Sequence, residues 1–371
     1  MATEISRRLL LGAASAGTAL VVAGRSHAQA TPPRPLFGPA AGVAQLSRNE
    51  NPYGPSPAAI EAMARAASQG CYYPDAGIDR LTAMIAERNG VGAKQVVIGA
   101  GSTELLSSLA LAWMSKGAIL CPDLFWDTTV AYAAKKGAKV KRVPMKADMS
   151  VDLDALAAAI TPDVGMIHLC NPNNPTGILI DSDALRAFLR KVPSHVPVLI
   201  DEAYNELTAR PDSTSVVGSI KAHPNVVVAR TFSKIHGLAG LRIGYVIASE
   251  ENAATIDSYV MSMGGTTAGI AAAIATYDDQ PFLNFSKARI VEARGMIYDA
   301  VRKAGLTALP AETNFVFVKV PDADAMKKAL AERQIVVRGA YGPWKQWSRV
   351  STGKIEDVKR YCEALPQVVG A

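Results

Sequence analysis

The chain has 371 residues, 49% of them hydrophobic and 19% charged, with no low-complexity tract. That length supports a large core in roughly two domains. The net charge of +6 is spread without a basic block and only 6% of residues are aromatic, which excludes an obvious nucleic-acid surface but suits an anionic substrate or cofactor.

The first thirty residues stand apart. Ser6-Arg7-Arg8-Leu9-Leu10-Leu11 opens an Ala- and Gly-rich apolar run through Ala23, and Ala28 and Ala30 form an Ala-x-Ala cleavage pattern. Residues 1–30 resemble a twin-arginine signal peptide, which implies a periplasmic protein. A leader that does not function would leave it cytoplasmic. The run is too short for a membrane span, so no stable membrane insertion is expected. Residues 31–45 read as a linker, and the Pro- and Asn-dense stretch from Arg48 to Pro57 excludes a helix or central strand.

Helices are expected at Ala58–Ala67 and Ile78–Asn89. Short apolar strands then alternate with helices. The strands are Val96–Ile98, Ala118–Leu120, Lys139–Val143, Val164–Leu169, Val196–Ile200, Val226–Ala229 and Ile243–Ile247. The helices between them are Leu105–Trp113, Val130–Lys136, Leu153–Ile160 and Ala184–Lys191. This alternation predicts an α/β fold with a mostly parallel sheet covered on both faces. After Glu250 come helices at Asn252–Val260, Gly269–Tyr277 and Pro281–Ala304, then strands Asn314–Val320 and Ile335–Arg338 around a helix at Asp324–Arg333. These predict a smaller α/β domain. The expected boundaries are 46–70 for an N-terminal segment packing with the small domain, 71–250 for the large domain and 251–371 for the small one.

The four cysteines (Cys71, Cys121, Cys170 and Cys362) include no Cys-x-x-Cys pair and no histidine at ligand spacing, so no metal is expected. Cys121 and Cys170 each end an apolar run and read as buried thiols.

The chemistry centres on Arg230 to Tyr245. Lys234 lies among Phe232, Leu238, Leu241 and Ile243, and burial there lowers the pKa of an amine and frees it to attack a carbonyl. Thr231 and Ser233 offer hydroxyls, and Arg242 offers a planar fork suited to phosphate. An aldehyde held on Lys234 with its phosphate anchored nearby describes pyridoxal 5′-phosphate. The stretch resembles the lysine segment of fold-type I pyridoxal-phosphate aminotransferases of class I/II. Its Thr-Phe-Ser-Lys and Gly-Leu-Ala-Gly-Leu-Arg wording is closest to the histidinol-phosphate aminotransferase branch. The resemblance implies a large domain with a seven-stranded sheet, a smaller C-terminal domain, and an amino donor and a 2-oxo acid as substrates.

Further motifs follow strands, where ligands of such sheets gather. Gly101-Ser102-Thr103-Glu104 is an anion site or simply a good helix cap; the resemblance gives Ser102 and Thr103 to the cofactor phosphate. Asn171-Pro172-Asn173-Asn174-Pro175-Thr176-Gly177 is a rigid turn that admits a cis X-Pro bond. Within it the resemblance assigns Asn174 to the cofactor's 3′-oxygen and the substrate carboxylate. Asp201 ends a buried strand and needs a partner there. The resemblance pairs it with the pyridine nitrogen and Tyr204 with the 3′-oxygen. A ring-stacking aromatic is expected after Pro122, Trp126 being favoured over Phe125 for this role. Tyr73 matches a tyrosine that reaches the neighbouring subunit's phosphate, which implies a homodimer. Arg349 matches the clamp on the substrate carboxylate, and Arg338 an arginine for a distal phosphate. Two other functions share these motifs: a decarboxylase acting on a phosphorylated amino acid, and a non-catalytic cofactor or amine binder. Because histidinol phosphate is made in the cytoplasm, the expected export points to another amine or amino acid as the substrate.

Overall fold

The computed structural model describes residues 35–261 and 264–369, so the expected leader at 1–30 lies outside the described residues. Residues 35–40 form neither helix nor strand. From Ala41 onward the chain forms one compact unit.

Strand β1 (Ala44–Leu46) leads to helices α1 (Pro57–Ala66) and α2 (Asp75–Asn89). Then follow β2 (Val96–Gly99), α3 (Ser102–Trp113), β3 (Ala118–Pro122), α4 (Thr128–Lys135), β4 (Val140–Val143), α5 (Leu153–Ala158) and β5 (Val164–Cys170). Next come α6 (Ser182–Lys191), β6 (Val198–Asp201), α7 (Pro211–Thr214), β7 (Val226–Thr231), β8 (Gly244–Ile247), α8 (Glu250–Asp257) and α9 (Thr267–Tyr277). The long α10 (Gln280–Lys303) precedes β9 (Thr307–Ala308), β10 (Phe315–Lys319), α11 (Ala323–Ala331), β11 (Ile335–Val337), β12 (Trp347–Ser351) and α12 (Ile355–Val369).

The seven-stranded sheet has the order β2-β8-β7-β6-β5-β3-β4 and is parallel except for β8, which runs against both neighbours. Its central strands are buried along their whole length because helices cover both faces. On one face Leu81 and Ile85 of α2, Phe188 and Leu189 of α6 and Ile270 of α9 pack against Ile98, Leu169, Ile200 and Val228. On the other, Leu105, Leu109 and Trp113 of α3, Val130 of α4 and Ile256 of α8 pack against Val97, Ile119, Met166, Leu199 and Val227. Alternate residues of each strand serve opposite faces, as the two-residue period of a strand requires. Cys121 and Cys170 are buried free thiols in the second of these clusters, and burial pushes Cys121 up to about 12.

The smaller sheet is antiparallel in the order β12-β10-β9, and β1 pairs with β11 in parallel. Residues 44 and 45, expected to be linker, are therefore strand: three residues show no periodicity of their own, and the pairing with β11 organises them. The sequence expectations include no helix beyond Gly353, yet α12 is there. Its Ile355, Val358, Tyr361 and Leu365 recur at helical spacing and are buried against β10 and α10 neighbours such as Val316 and Ile297.

Candidate active site

Since β8 alone is reversed, the segments after β2, β3, β5, β6 and β7 and the segment before β8 meet at one edge of the large sheet, where α/β proteins bind ligands. A cleft of about 480 Å³ opens there. It also receives Ser47 to Glu50 from the segment after β1 and Arg338, Tyr341 and Arg349 from the C-terminal part.

One end of the cleft is an anion cradle. Among the described residues no side chain hydrogen-bonds as a cap on α3, so Ser102 and Thr103 present the helix N-terminus to the cleft. Gly101 precedes them with φ +81°, and a Cβ there would lie 2.2 Å from Arg242 Nη2. Gly244 of β8 is equally constrained, because its Cβ would fall 2.2 Å from the Ser102 nitrogen. Both positions must be glycine for turn, strand and guanidinium to meet. Thr231 Oγ1 donates to Ser233 Oγ at 2.9 Å and accepts from the Ser233 nitrogen at 3.1 Å. Arg242, itself left-handed at φ 56°, donates to Ser233 Oγ at 3.4 Å and to the Ala239 carbonyl at 3.0 Å.

Deeper in the cleft are Lys234, Asp201, Tyr204 and Asn174. Lys234 Nζ donates to the Asn49 carbonyl at 3.3 Å and stands 5.6 Å from the Tyr204 ring centre. Burial pulls this amine from 10.5 down to about 8, and the charge of Arg349 acts in the same direction. Asp201 is buried and accepts from the Ala203 nitrogen at 3.1 Å; burial lifts its carboxyl from 3.8 to about 6. The Tyr204 hydroxyl accepts from Asn49 Nδ2 at 3.1 Å and Asn174 Nδ2 at 3.3 Å. The peptide bonds before Pro172 and Pro175 are both cis, in the turn that presents Asn174.

Arg349 donates to Asn174 Oδ1 at 2.6 Å and to the Ser47 carbonyl at 2.8 Å. It is 6% exposed, and among the described residues its Nε has no hydrogen-bond partner. Arg338 is exposed at the cleft and stands 5.3 Å from the centre of the Tyr341 ring. Trp126 lines the cleft, whereas Phe125 is buried edge-on against His168 at 5.0 Å. Tyr73 is 77% exposed and does not line this cleft. Asn49, Glu50 and Tyr341 also line it, and the sequence reading singled out none of them. The signal for the first two is the Asn49-Glu50-Asn51 run, which in the sequence only excludes a helix or central strand.

The model of the aminotransferase class I and II family matches residues 41–365. The chain belongs to that family. This aminotransferase is 38% identical over 333 residues to histidinol-phosphate aminotransferase 1 of Dechloromonas aromatica, covering 88% of this chain and 90% of the other. It is 36% identical over 328 residues to the aromatic amino acid aminotransferase of Cutibacterium acnes, covering 88% and 92%. The solved structure of histidinol-phosphate aminotransferase from Sinorhizobium meliloti, in complex with pyridoxal 5′-phosphate, superposes with a TM-score of 0.80 at 30% identity, covering 88% and 90%.

The aminotransferase is a pyridoxal-phosphate enzyme, and its cleft fits the cofactor. A buried carboxyl that burial has made more basic suits a protonated ring nitrogen. The amine brought down to about 8 suits an aldehyde. Hydroxyls, a guanidinium and an uncapped helix terminus suit a phosphate.

Proposed function

We propose that this aminotransferase moves an amino group between a 2-oxo acid and an anionic amino compound, either an amino acid or an amino-alcohol phosphate of the histidinol-phosphate kind. Arg349 carries the reading. It is a buried guanidinium at the cleft whose Nε has no partner among the described residues, and Arg338 supplies a second cation at the rim. A fixed planar fork recognises a carboxylate or phosphate. Relatives named for histidinol phosphate and for aromatic amino acids support the same substrate class.

When bound, pyridoxal phosphate supplies an electron sink for charge developing at the substrate's α-carbon. In the proposed division of labour, Asp201 keeps the ring nitrogen protonated, and Tyr204 and Asn174 hydrogen-bond the 3′-oxygen. Ser102, Thr103, Thr231, Ser233 and Arg242 hold the phosphate, and Trp126 covers the ring. Lys234 carries the cofactor and then moves a proton at the α-carbon as base and acid. Arg349 clamps the substrate's anionic group, and Arg338 serves its distal part.

Tyr73, exposed beside Tyr72, supports a homodimer in which it reaches the neighbouring subunit's phosphate. The twin-arginine pattern of residues 1–30 supports export to the periplasm.

The test is a single-turnover measurement of the cofactor's visible absorbance with histidinol phosphate, aromatic amino acids, glutamate and phosphothreonine in parallel. Conversion of an anionic donor to its keto product, abolished in Lys234→Ala, is expected. Release of CO₂ in place of a keto product would move the assignment to a decarboxylase. Absence of turnover with every donor would sink the reading.

A further inference from the structure

Asn49 sits between β1 and α1 with a left-handed backbone (φ 57°) and is 1% exposed. Each of its polar groups is engaged. Its nitrogen donates to Ser351 Oγ at 2.9 Å, and its Oδ1 accepts from the same hydroxyl at 2.6 Å. Its carbonyl accepts from Asn314 Nδ2 at 2.9 Å and from Lys234 Nζ at 3.3 Å. Its Nδ2 donates to the Tyr204 hydroxyl at 3.1 Å.

The Tyr204 oxygen therefore accepts two amide N–H groups, one from Asn49 and one from Asn174. Arginine has no acceptor, so the bond from Arg349 Nη1 to Asn174 Oδ1 fixes which end of that amide faces Tyr204. Ser351, which receives the Asn49 N–H and returns its own proton to Oδ1, does the same for Asn49. A phenol oxygen has two acceptor sites and one proton. With both sites filled, the proton is left to point elsewhere, and the space Tyr204 borders is the cleft.

We infer that Asn49 is a positioning residue, delivered by the segment after β1, that turns the Tyr204 proton toward the cofactor and holds the Lys234 amine on its carbonyl. The inference rests on the reading that Tyr204 serves the cofactor's 3′-oxygen. Without the Asn49 amide, the Tyr204 oxygen regains a free acceptor site and its proton a choice of directions. Donation to the 3′-oxygen would weaken, and the greater negative charge there would hold a proton more tightly on the Lys234 nitrogen of the loaded enzyme.

The experiment is a spectrophotometric pH titration of the visible band of the cofactor-loaded enzyme. Asn49→Gly keeps the left-handed backbone and the carbonyl but removes the amide. It also leaves in place the charges around Lys234, namely Arg349, Asp201, Glu50 and Arg242. Its midpoint is expected to rise by about half a unit to one unit, the scale of one lost hydrogen bond. Asn314→Ala loosens the same segment without touching that amide, and its midpoint is expected to match the wild type. In a Tyr204→Phe background, Asn49→Gly is expected to add no further shift.

A wild-type midpoint in Asn49→Gly, or an equal shift in Asn314→Ala, would overturn the inference. So would a shift that persists undiminished beside Tyr204→Phe. If the glycine variant does not fold, Asn49→Asp keeps the acceptor for Ser351 while losing the donor to Tyr204. Its rise must then shrink in the Tyr204→Phe background, and an unshrunken rise would overturn the inference. A Tyr204→Phe midpoint equal to wild type would instead remove the reading of Tyr204 on which the inference stands.

Discussion

Arg349 Nη1 donates to Asn174 Oδ1 at 2.6 Å, joining β12 of the smaller sheet to the turn that follows β5 of the larger one. Asn174 passes the constraint on to Tyr204 through its Nδ2 at 3.3 Å. A residue proposed to bind substrate thus also orders two residues proposed to bind cofactor.

Arg349→Lys keeps the charge but loses the fork. A hydrogen bond to a charged group contributes roughly 1.5–3 kcal/mol, so kcat/KM for an anionic donor should fall about 10- to 150-fold. Retention of the visible band would show that the cofactor stays bound. Steady-state kinetics that match the wild type would remove Arg349 from the substrate site.

Lys234 must be neutral to attack an aldehyde, and its amine lies at about 8 in the cofactor-free protein. The rate of pyridoxal phosphate uptake should therefore rise about tenfold per pH unit from about pH 6 and flatten above about 8. The same depression has a stability consequence with a definite sign. From about 8 to 10.5 the unfolded chain binds more protons at this lysine than the folded one. The cofactor-free protein should thus gain stability as pH rises through that window. Urea titrations that show the same slope in Lys234→Met would exclude Lys234 as its source.

Gly101→Ala places a methyl against Arg242 Nη2 on a backbone at φ +81°. Pyridoxal phosphate should bind at least about tenfold more weakly, a loss of about 1.4 kcal/mol. Gly244→Ala should damage the fold more, because its Cβ would meet the backbone nitrogen of Ser102 rather than the end of a side chain. Equilibrium dialysis and thermal melts of the two variants separate these effects. Unchanged cofactor affinity in Gly101→Ala would refute the cradle as the phosphate site.

Arg230 and Glu202 form an ion pair at 2.9 Å, with side chains 10% and 0% exposed. Arg230 also donates to Ser215 Oγ at 2.7 Å. The pair fastens the ends of β6 and β7 together beside Asp201 and Thr231. Arg230→Met should cost about 3–5 kcal/mol, because it leaves Glu202 buried without its counter-charge, whereas Arg230→Met with Glu202→Leu should recover only part of that loss, since Glu202 also accepts from the Val216 nitrogen and from Ser215 Oγ, both at 2.8 Å. Denaturant unfolding measures both, and a cost below about 1 kcal/mol in the single variant would show that the pair contributes little.

Much of this protein was already legible in local sequence. The strands of the large sheet read as short apolar runs because helices bury them on both sides. Most of the proposed site was legible for a related reason. Asp201 ends a strand, and Ser102, Asn174 and Lys234 each follow one, where turn-forming and polar residues after an apolar run stand out. Both Trp126 and Phe125 follow the same strand; the sequence favours Trp126, and in three dimensions Trp126 lines the cleft while Phe125 turns into the core against His168.

The sequence by itself determined the layered α/β architecture and the cofactor class, and it carries the proposed lysine-centred chemistry, because each is written in residue types within continuous local stretches. Tertiary structure decided what depends on distant segments meeting. It paired β1 with β11, brought Asn49 to Tyr204 and Lys234, and joined Arg349 to Asn174 across 175 positions of chain. Hydrogen bonds of that kind are made by packing, which leaves no periodicity or local composition to read, and so the hub at Asn49 emerges only from the folded chain.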